Sequence, residues 1–378
     1  MTFSNKILFI GPKSPPVSGY SNVVEALKSH IESEGATVRH VSTHPSFLAK
    51  FYPSNTWRLF RASYLICKIF FVLFFILFYK KIYLNLNGGI ALFFDICICV
   101  LAVFFFKELT LHHNSCAHIN KKSKLFSFLV SISNKNKTTH VVNCKSMKTL
   151  LSTNYDVPKK NIKTISNISI LSKKIQNKIM IEDKKINQKN SNFCIGFMGY
   201  LNSEKGIDDF AKVLTKLQEP TNKNLPKFIG KAVGPIHDHK LVKNIKEKTS
   251  SYIAFQDPLF GDERDFFFDN LDILLFPSKY HLEAEPLTIY HALERGVPVI
   301  ATDIGCIDEM ISGFENSFTF NQNTFIDNAV ISILNIANKD SKELSIAKRK
   351  IINQYQNKKI KNNEEFSLFL KNLITNSY

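Results

Sequence analysis

The chain has 378 residues, 44% of them hydrophobic, and a formal net charge of +17 at pH 7. That length exceeds what one hydrophobic core normally organises, and the apolar content is ample for two buried sheets, so a single small domain is excluded. The charge is one-sided: residues 1–180 hold 24 Lys and Arg against 6 Asp and Glu, and the remainder holds 25 against 26. The seven cysteines (67, 97, 99, 116, 144, 194 and 306) stand in apolar or strand contexts without metal or redox spacing. They read as reduced core residues of a cytoplasmic protein, and Cys97 and Cys99 on a helix would point to different faces.

Ile7 to Ile10 is a short apolar strand that runs into Gly11-Pro-Lys-Ser-Pro-Pro-Val-Ser-Gly19 and then a helix from about Asn22. The glycines let backbone approach a ligand, and Gly19 with Ser21 falls at a helix amino end, although any first strand-to-helix turn of an α/β domain carries such residues. The strand begins within six residues of Met1, so no signal peptide is expected. Tyr64 to Tyr79 (YLICKIFFVLFFILFY) is flanked by Arg58 and Arg61 and by Lys80 and Lys81, and holds 11 uninterrupted apolar residues after Lys68. A membrane-spanning helix needs roughly 20, so this segment is expected to lie in a membrane interface, with a fully buried helix as the alternative. A two-span hairpin with Gly89 to Phe106 as its second arm would place Asp95 in lipid and remove strands that the first domain needs.

Ala102 to Leu111 reads as a further apolar strand, which leaves His112 and His113 at its carboxyl end, with no third ligand at metal spacing. Ile162 to Ile165 is the next strand, and Asn167 follows it. From Ser172 to Asn192 the chain turns polar and rich in lysine and asparagine, the composition of an interdomain linker. The expected domains are therefore 1–175 and 190–358. Beyond them Glu364 to Ile374 has helical spacing, within a terminal helix of about residues 360–378. No internal repeat is present.

The densest information lies in Leu274 to Asp303, LLFPSKYHLEAEPLTIYHALERGVPVIATD. Ile273 to Pro277 is an apolar run of strand length, suited to a buried parallel sheet, so the loop after it lies at the carboxyl edge, where open α/β folds bind ligands. Pro286 suits the first turn of a helix, and the amides of the following residues would face an anion such as a diphosphate. Glu283 and Glu285 flank that anion site. Carboxylates are poor phosphate ligands but good acceptors for sugar hydroxyls, which assigns the two acids to the hexose or ribose end; the plain alternative is solvated loop charge. Phe197 to Phe210 (FMGYLNSEKGIDDF) adds a strand, a glycine turn and Lys205 before a helix. An ammonium there offsets charge growing on a leaving diphosphate, as a metal does in other transferases; its plain alternative is an exposed loop lysine.

These two stretches resemble the donor site of the retaining glycosyltransferases of family 4. Members carry a glutamate, seven residues, a second glutamate, then Ala-x-x-x-Gly-x-Pro-Val-Ile; here Glu283, Ala292, Gly296, Pro298, Val299 and Ile300 match, and His291 replaces the second acid. The resemblance implies an α/β protein of the GT-B fold, two Rossmann-like domains facing each other across a cleft. It implies that Glu283 contacts the transferred sugar, that Lys205 serves the diphosphate, and that His291 offers the ribose at best one hydrogen bond. Tyr200 stands where an arginine is usual. His113 aligns with a histidine that faces the sugar, though the sequence leaves open which of His112 and His113 turns inward. Asn167 matches the asparagine ending the N-terminal domain, and Asn143 replaces a serine. The implied catalytic set is Lys205, Glu283 and His113; the implied donor contacts are Gly19, Gly199, Lys205, Glu283, Glu285, Pro286, Leu287, Thr288 and His291.

The expected activity is transfer of a hexose-type sugar from a nucleotide-sugar to a lipid-linked or polysaccharide acceptor in cell-surface glycan synthesis, without metal or other cofactor. The basic N-terminal half would attract an anionic membrane surface. Nucleic acid is the rival partner for that charge and is not expected, because no nucleic-acid module is present. The expected location is cytoplasmic, peripheral to the inner face of the cell membrane. A GT-B sugar-nucleotide epimerase and a non-catalytic GT-B-fold binding subunit are the alternatives.

Overall fold

A computed structural model describes residues 5–51, 54–135, 137–171, 192–219 and 225–375. Apart from Asn192, the expected linker from Ser172 to Asn192 lies outside the described residues. The chain divides into two compact units, Met1–Lys173 with Lys359–Tyr378, and Lys174–Lys358.

In the first unit strands and helices alternate: β1 (Lys6–Gly11), α1 (Gly19–Ser33), β2 (Thr37–Ser42), α2 (Asn55–Ile76), β3 (Lys81–Asn85), α3 (Leu92–Phe104), β4 (Glu108–His113), α4 (Lys124–Ser133), β5 (Thr138–Val142), α5 (Lys145–Tyr155), β6 (Ile162–Thr164) and α6 (Asn167–Ile170). The strands form a parallel sheet in the order β2-β1-β3-β4-β5-β6. Ile7, Leu8, Phe9 and Ile10 are all buried, which is why β1 reads as an unbroken apolar run rather than an alternating one. Helix α1 starts three residues before Asn22, because Ser18 caps it: the Ser18 hydroxyl accepts from the Ser21 amide, and the Ser21 hydroxyl accepts from that of Ser18.

Helix α2 begins nine residues ahead of Tyr64 and ends at Ile76, so Lys81 is not one of its basic flanks. Lys81 opens β3 instead, buried, with its ammonium donating to the carbonyls of Leu373 and Ile374. Along α2, Trp57, Leu65, Val72 and Ile76 are buried, whereas Leu59, Ile66, Phe70, Leu73 and Phe74 are exposed. One face thus packs on the protein, against α3 among others, and a second apolar face is exposed.

One expectation fails at α3. Ala102 is helical, and the strand before the histidines is Glu108–His113 rather than Ala102 to Leu111. The run Leu92–Phe104 is apolar on nearly all sides, so it shows no period by which helix and strand differ. It is a crossover helix, and Asp95 lies in protein rather than lipid, accepting 2.7 Å hydrogen bonds from the backbone and side-chain amides of Asn87.

The second unit continues with β7 (Asn192–Met198), α7 (Ile207–Leu217), β8 (Lys227–Val233), α8 (His239–Thr249), β9 (Ile253–Gln256), α9 (Gly261–Asp269), β10 (Ile273–Phe276), α10 (Leu287–Glu294), β11 (Val299–Thr302), α11 (Ile307–Ile311), β12 (Phe318–Phe320) and α12 (Phe325–Ala337). The last helix, α13 (Ser341–Thr375), passes from this unit into the first. The sheet is again parallel, ordered β12-β11-β10-β7-β8-β9. Ile207, Phe210, Ala211 and Leu214 repeat at helical spacing and place α7 on the core formed by Ile195, Phe197, Leu275 and Ile300. Strand order reverses between β7 and β10, the position in an open parallel sheet at whose carboxyl edge ligands bind.

Candidate active site

Lys205 lies in the loop after β7 and Glu283 in the loop after β10, on the two sides of that reversal. Their side chains meet: the Lys205 ammonium is ion-paired with Glu283 Oε2, with the two side chains 19% and 12% exposed. Ser278 Oγ donates to the same carboxylate oxygen at 3.2 Å, and the face of Tyr280 lies 4.5 Å from the ammonium.

Local backbone geometry holds each partner. The Lys205 amide donates to Asn202 Oδ1 at 2.9 Å, and Gly206 follows with φ +81°. A Cβ on Gly206 would fall 2.0 Å from the Pro277 carbonyl oxygen, so this loop reaches the β10 loop only with glycine there. On the other side, a Cβ on Gly305 would fall 2.3 Å from the Glu283 carbonyl. A second cation ties the loops together: Lys279 bonds Asp208 and Asp209, the acids of the first turn of α7, at 2.9 and 2.8 Å. Those contacts hold the Lys279 ammonium in its charged form against the burial that opposes it.

Pro286 is the residue before α10 rather than its first helical residue, and Leu287 and Thr288 form the opening turn, with their amides at the carboxyl edge beside Glu283. Glu285 turns inward, buried, and accepts from the Tyr290 hydroxyl. His291 is mostly buried, its Nε2 3.4 Å from Arg264 Nη1. Burial and then the Arg264 charge push its pKa down to about 4, so the imidazole is neutral at physiological pH. Gly199 follows β7 with open space where a Cβ would stand, and Tyr200 packs on His237 in a tilted arrangement with ring centroids 4.1 Å apart.

The remaining expected residues belong to the first unit. Gly19 opens α1. His112 and His113 close β4 and are both buried, the former hydrogen-bonded to Tyr83 at 3.0 Å and the latter to His140 at 3.1 Å. Burial holds both imidazoles neutral, with His112 lowered to about 3 and His113 well below its usual value. Asn143 follows β5 and Asn167 opens α6, both buried. Among the described residues no group of three or more His, Cys, Asp or Glu stands where it could hold a metal ion.

Sequence reasoning passed over Ser278, Tyr280 and Lys279, although all lie inside the segment it singled out. Nothing in their spacing marks them, since their partners are reached only through the fold. Asn202, three residues before Lys205, is the one with a local signal: an amide side chain capping a turn.

A family profile described as "Glycosyl transferases group 1" matches residues 179–372, just over half of the chain. The chain belongs to this family. Comparison with curated proteins finds no match. Among solved structures, HepE of Anabaena in complex with UDP and glucose is 15% identical with a TM-score of 0.66, over 97% of this chain and 99% of that one. A glycosyltransferase of Rickettsia africae ESF-5 is 17% identical with a TM-score of 0.66, over 98% and 99% of the two chains. The lipopolysaccharide outer core galactosyltransferase WaaB, in its apo form, is 14% identical with a TM-score of 0.62, over 99% and 100%. At these identities the likeness is one of fold, and that fold is GT-B, with two Rossmann-like domains.

Proposed function

We propose that this family member moves a hexose-type sugar from a nucleoside diphosphate sugar to a lipid-linked or polysaccharide acceptor, with retention of anomeric configuration as in family 4. The observation that carries the reading is the Lys205–Glu283 pair at the strand reversal, beside the amino end of α10. A cation and helix amides there suit a diphosphate, and a carboxylate next to them suits sugar hydroxyls. The UDP and glucose bound by HepE support such a donor, and the lipopolysaccharide substrate in the name of WaaB supports a cell-surface acceptor.

In the proposed reaction the bond from the sugar anomeric carbon to the diphosphate oxygen breaks, and an acceptor hydroxyl oxygen takes its place on the same face. The acceptor proton passes to the leaving phosphate oxygen. Lys205 and the amides of Leu287 and Thr288 stabilise the growing phosphate charge without a metal. Glu283 accepts from the sugar, and neutral His113 offers its Nδ1 side, since Nε2 is engaged by His140. Glu285, bound to Tyr290, shapes the loop, and neutral His291 gives the ribose one hydrogen bond.

The first unit is proposed to hold the acceptor and to rest on an anionic membrane surface, on its cytoplasmic side. Thr56–Ile76 has the length and composition to cross a membrane, and little of it is buried. It nonetheless packs one face on the protein through Leu65, Val72 and Ile76, which favours lying in the interface over spanning. Arg39 and Lys68 sit along it with their charges on the rings of Phe75 and Tyr64, 4.6 and 4.9 Å from the centroids.

The test is a thermal-shift screen of sugar nucleotides followed by transfer of labelled sugar from the stabilising donor into a lipid extract. Transfer is expected, and Lys205→Ala should reduce it about 100-fold, the loss seen for one donor to a developing anion, in a variant that is still folded at the assay temperature although it melts lower, because Glu283 loses its partner. Donor binding without transfer would instead favour a non-catalytic subunit, and conversion of the sugar nucleotide without acceptor would favour an epimerase.

A further inference from the structure

Lys205 and Glu283 serve different parts of the donor in the function proposed above, yet in this structure they serve each other. In that reading the donor phosphates draw the ammonium away from Glu283 Oε2, where it is also held over the Tyr280 ring. Once it leaves, Glu283 keeps only the 3.2 Å hydrogen bond from Ser278. A carboxylate this enclosed is strongly disfavoured without its cation, and more so next to phosphate charge of the same sign.

The two ligands of the reaction differ in how they meet this demand. An intact sugar nucleotide brings hydroxyl donors to Glu283 as its phosphates draw Lys205 away, so both groups remain satisfied. A bare nucleoside diphosphate takes Lys205 and returns nothing to the carboxylate. We propose that Glu283 is a specificity-determining residue between donor and spent product: as the resting counter-ion of Lys205, it weakens nucleoside diphosphate relative to sugar nucleotide and so assists product departure. Ser278 and Tyr280 are positioning residues that hold the pair in its resting geometry. The inference rests on the donor-site reading and adds a direction to it, because it makes the acid unfavourable for one of the two nucleotides.

The experiment measures, by calorimetry on the full chain in metal-free buffer, the affinities of UDP, GDP, ADP and dTDP and of one sugar nucleotide of each. For the pair that binds, Glu283→Gln should tighten the bare diphosphate about tenfold, the scale of one partly buried charge contact, and leave the sugar nucleotide equal or weaker. Preference for the intact donor then collapses. Glu283→Asp, which keeps the charge, should keep the bare diphosphate weak and guards against a general effect of substitution. If the parent binds a pair and Glu283→Gln leaves the diphosphate unchanged or weaker, the inference is wrong while the donor site stands. If the parent binds none of the pairs, both fall.

Discussion

The apolar face of α2 gives a sharp test of the proposed attachment to a membrane surface. Phe70 and Phe74 are 70% and 63% exposed, one turn apart, and are replaced together by serine. Full burial of a phenylalanine is worth about 2.5 kcal/mol, so moving the exposed two-thirds of each ring into lipid gives about 1.7 kcal/mol apiece and about 3 kcal/mol for the pair. That corresponds to roughly two orders of magnitude in the partition coefficient, since each 1.4 kcal/mol is tenfold. The assay is co-sedimentation with vesicles of phosphatidylcholine and phosphatidylglycerol at fixed ionic strength, with melting temperature followed in parallel. Both rings face solvent, so the double variant should melt with the parent, whereas Val72→Ser, at a buried position of the same helix, should melt lower and bind vesicles normally at temperatures where it is folded. Unchanged partitioning of the double variant would refute the reasoning. So would a parent that ignores the vesicles, or a fall of several degrees in the double variant, which would mean that the face is covered by protein.

Gly206→Ala should destabilise the second unit by about 2–4 kcal/mol, combining a left-handed backbone with a contact against a carbonyl that cannot move aside; a urea midpoint equal to the parent's would count against the geometry of this loop. Lys81→Met removes the donor to the Leu373 and Ile374 carbonyls and should cost about 1–3 kcal/mol, read as a lower urea midpoint, with no loss expected if the end of α13 does not pack at β3. Stability should fall on acidification. Burial lowers the pKa of His40, His44, His112, His113, His118, His140, His237 and His291, so the unfolded chain takes up protons at a higher pH than the folded one, and stability present above pH 6.5 is lost as pH falls below it. Asp95, whose pKa burial raises to about 7, acts the other way, favouring the fold below that pH, as does Asp272, and eight groups outweigh two. A urea midpoint that holds or rises from pH 7.5 to 5 would contradict this balance. Asp95→Asn should steepen the acid loss by about 1.4 kcal/mol per pH unit between roughly pH 4 and 7, because the opposing group is gone.

What the sequence disclosed, and what it hid, follows from the range of the interactions involved. β1 and β10 were legible because a parallel strand buried on both faces must be apolar throughout, and because glycine and proline mark the turns after them. The segment Leu92–Phe104 obeys the same rule for a different reason, since a helix covered on most sides is also apolar throughout, and only its length separates it from a strand. Lys81 was assigned to a basic flank because its neighbour Lys80 is one; the pleat sends adjacent residues to opposite sides, and the carbonyls that receive Lys81 lie 292 and 293 residues away. The site divides in the same manner. Residue types and their spacing picked out Lys205 and Glu283 separately, each from its own loop. That the two neutralise one another could not be read, because they are 78 residues apart and meet only where the strand order reverses. The proposed function turns on that meeting: a lysine and a glutamate each suited to a ligand are in this structure suited to each other, so a donor bound as proposed must satisfy both to displace the bond between them.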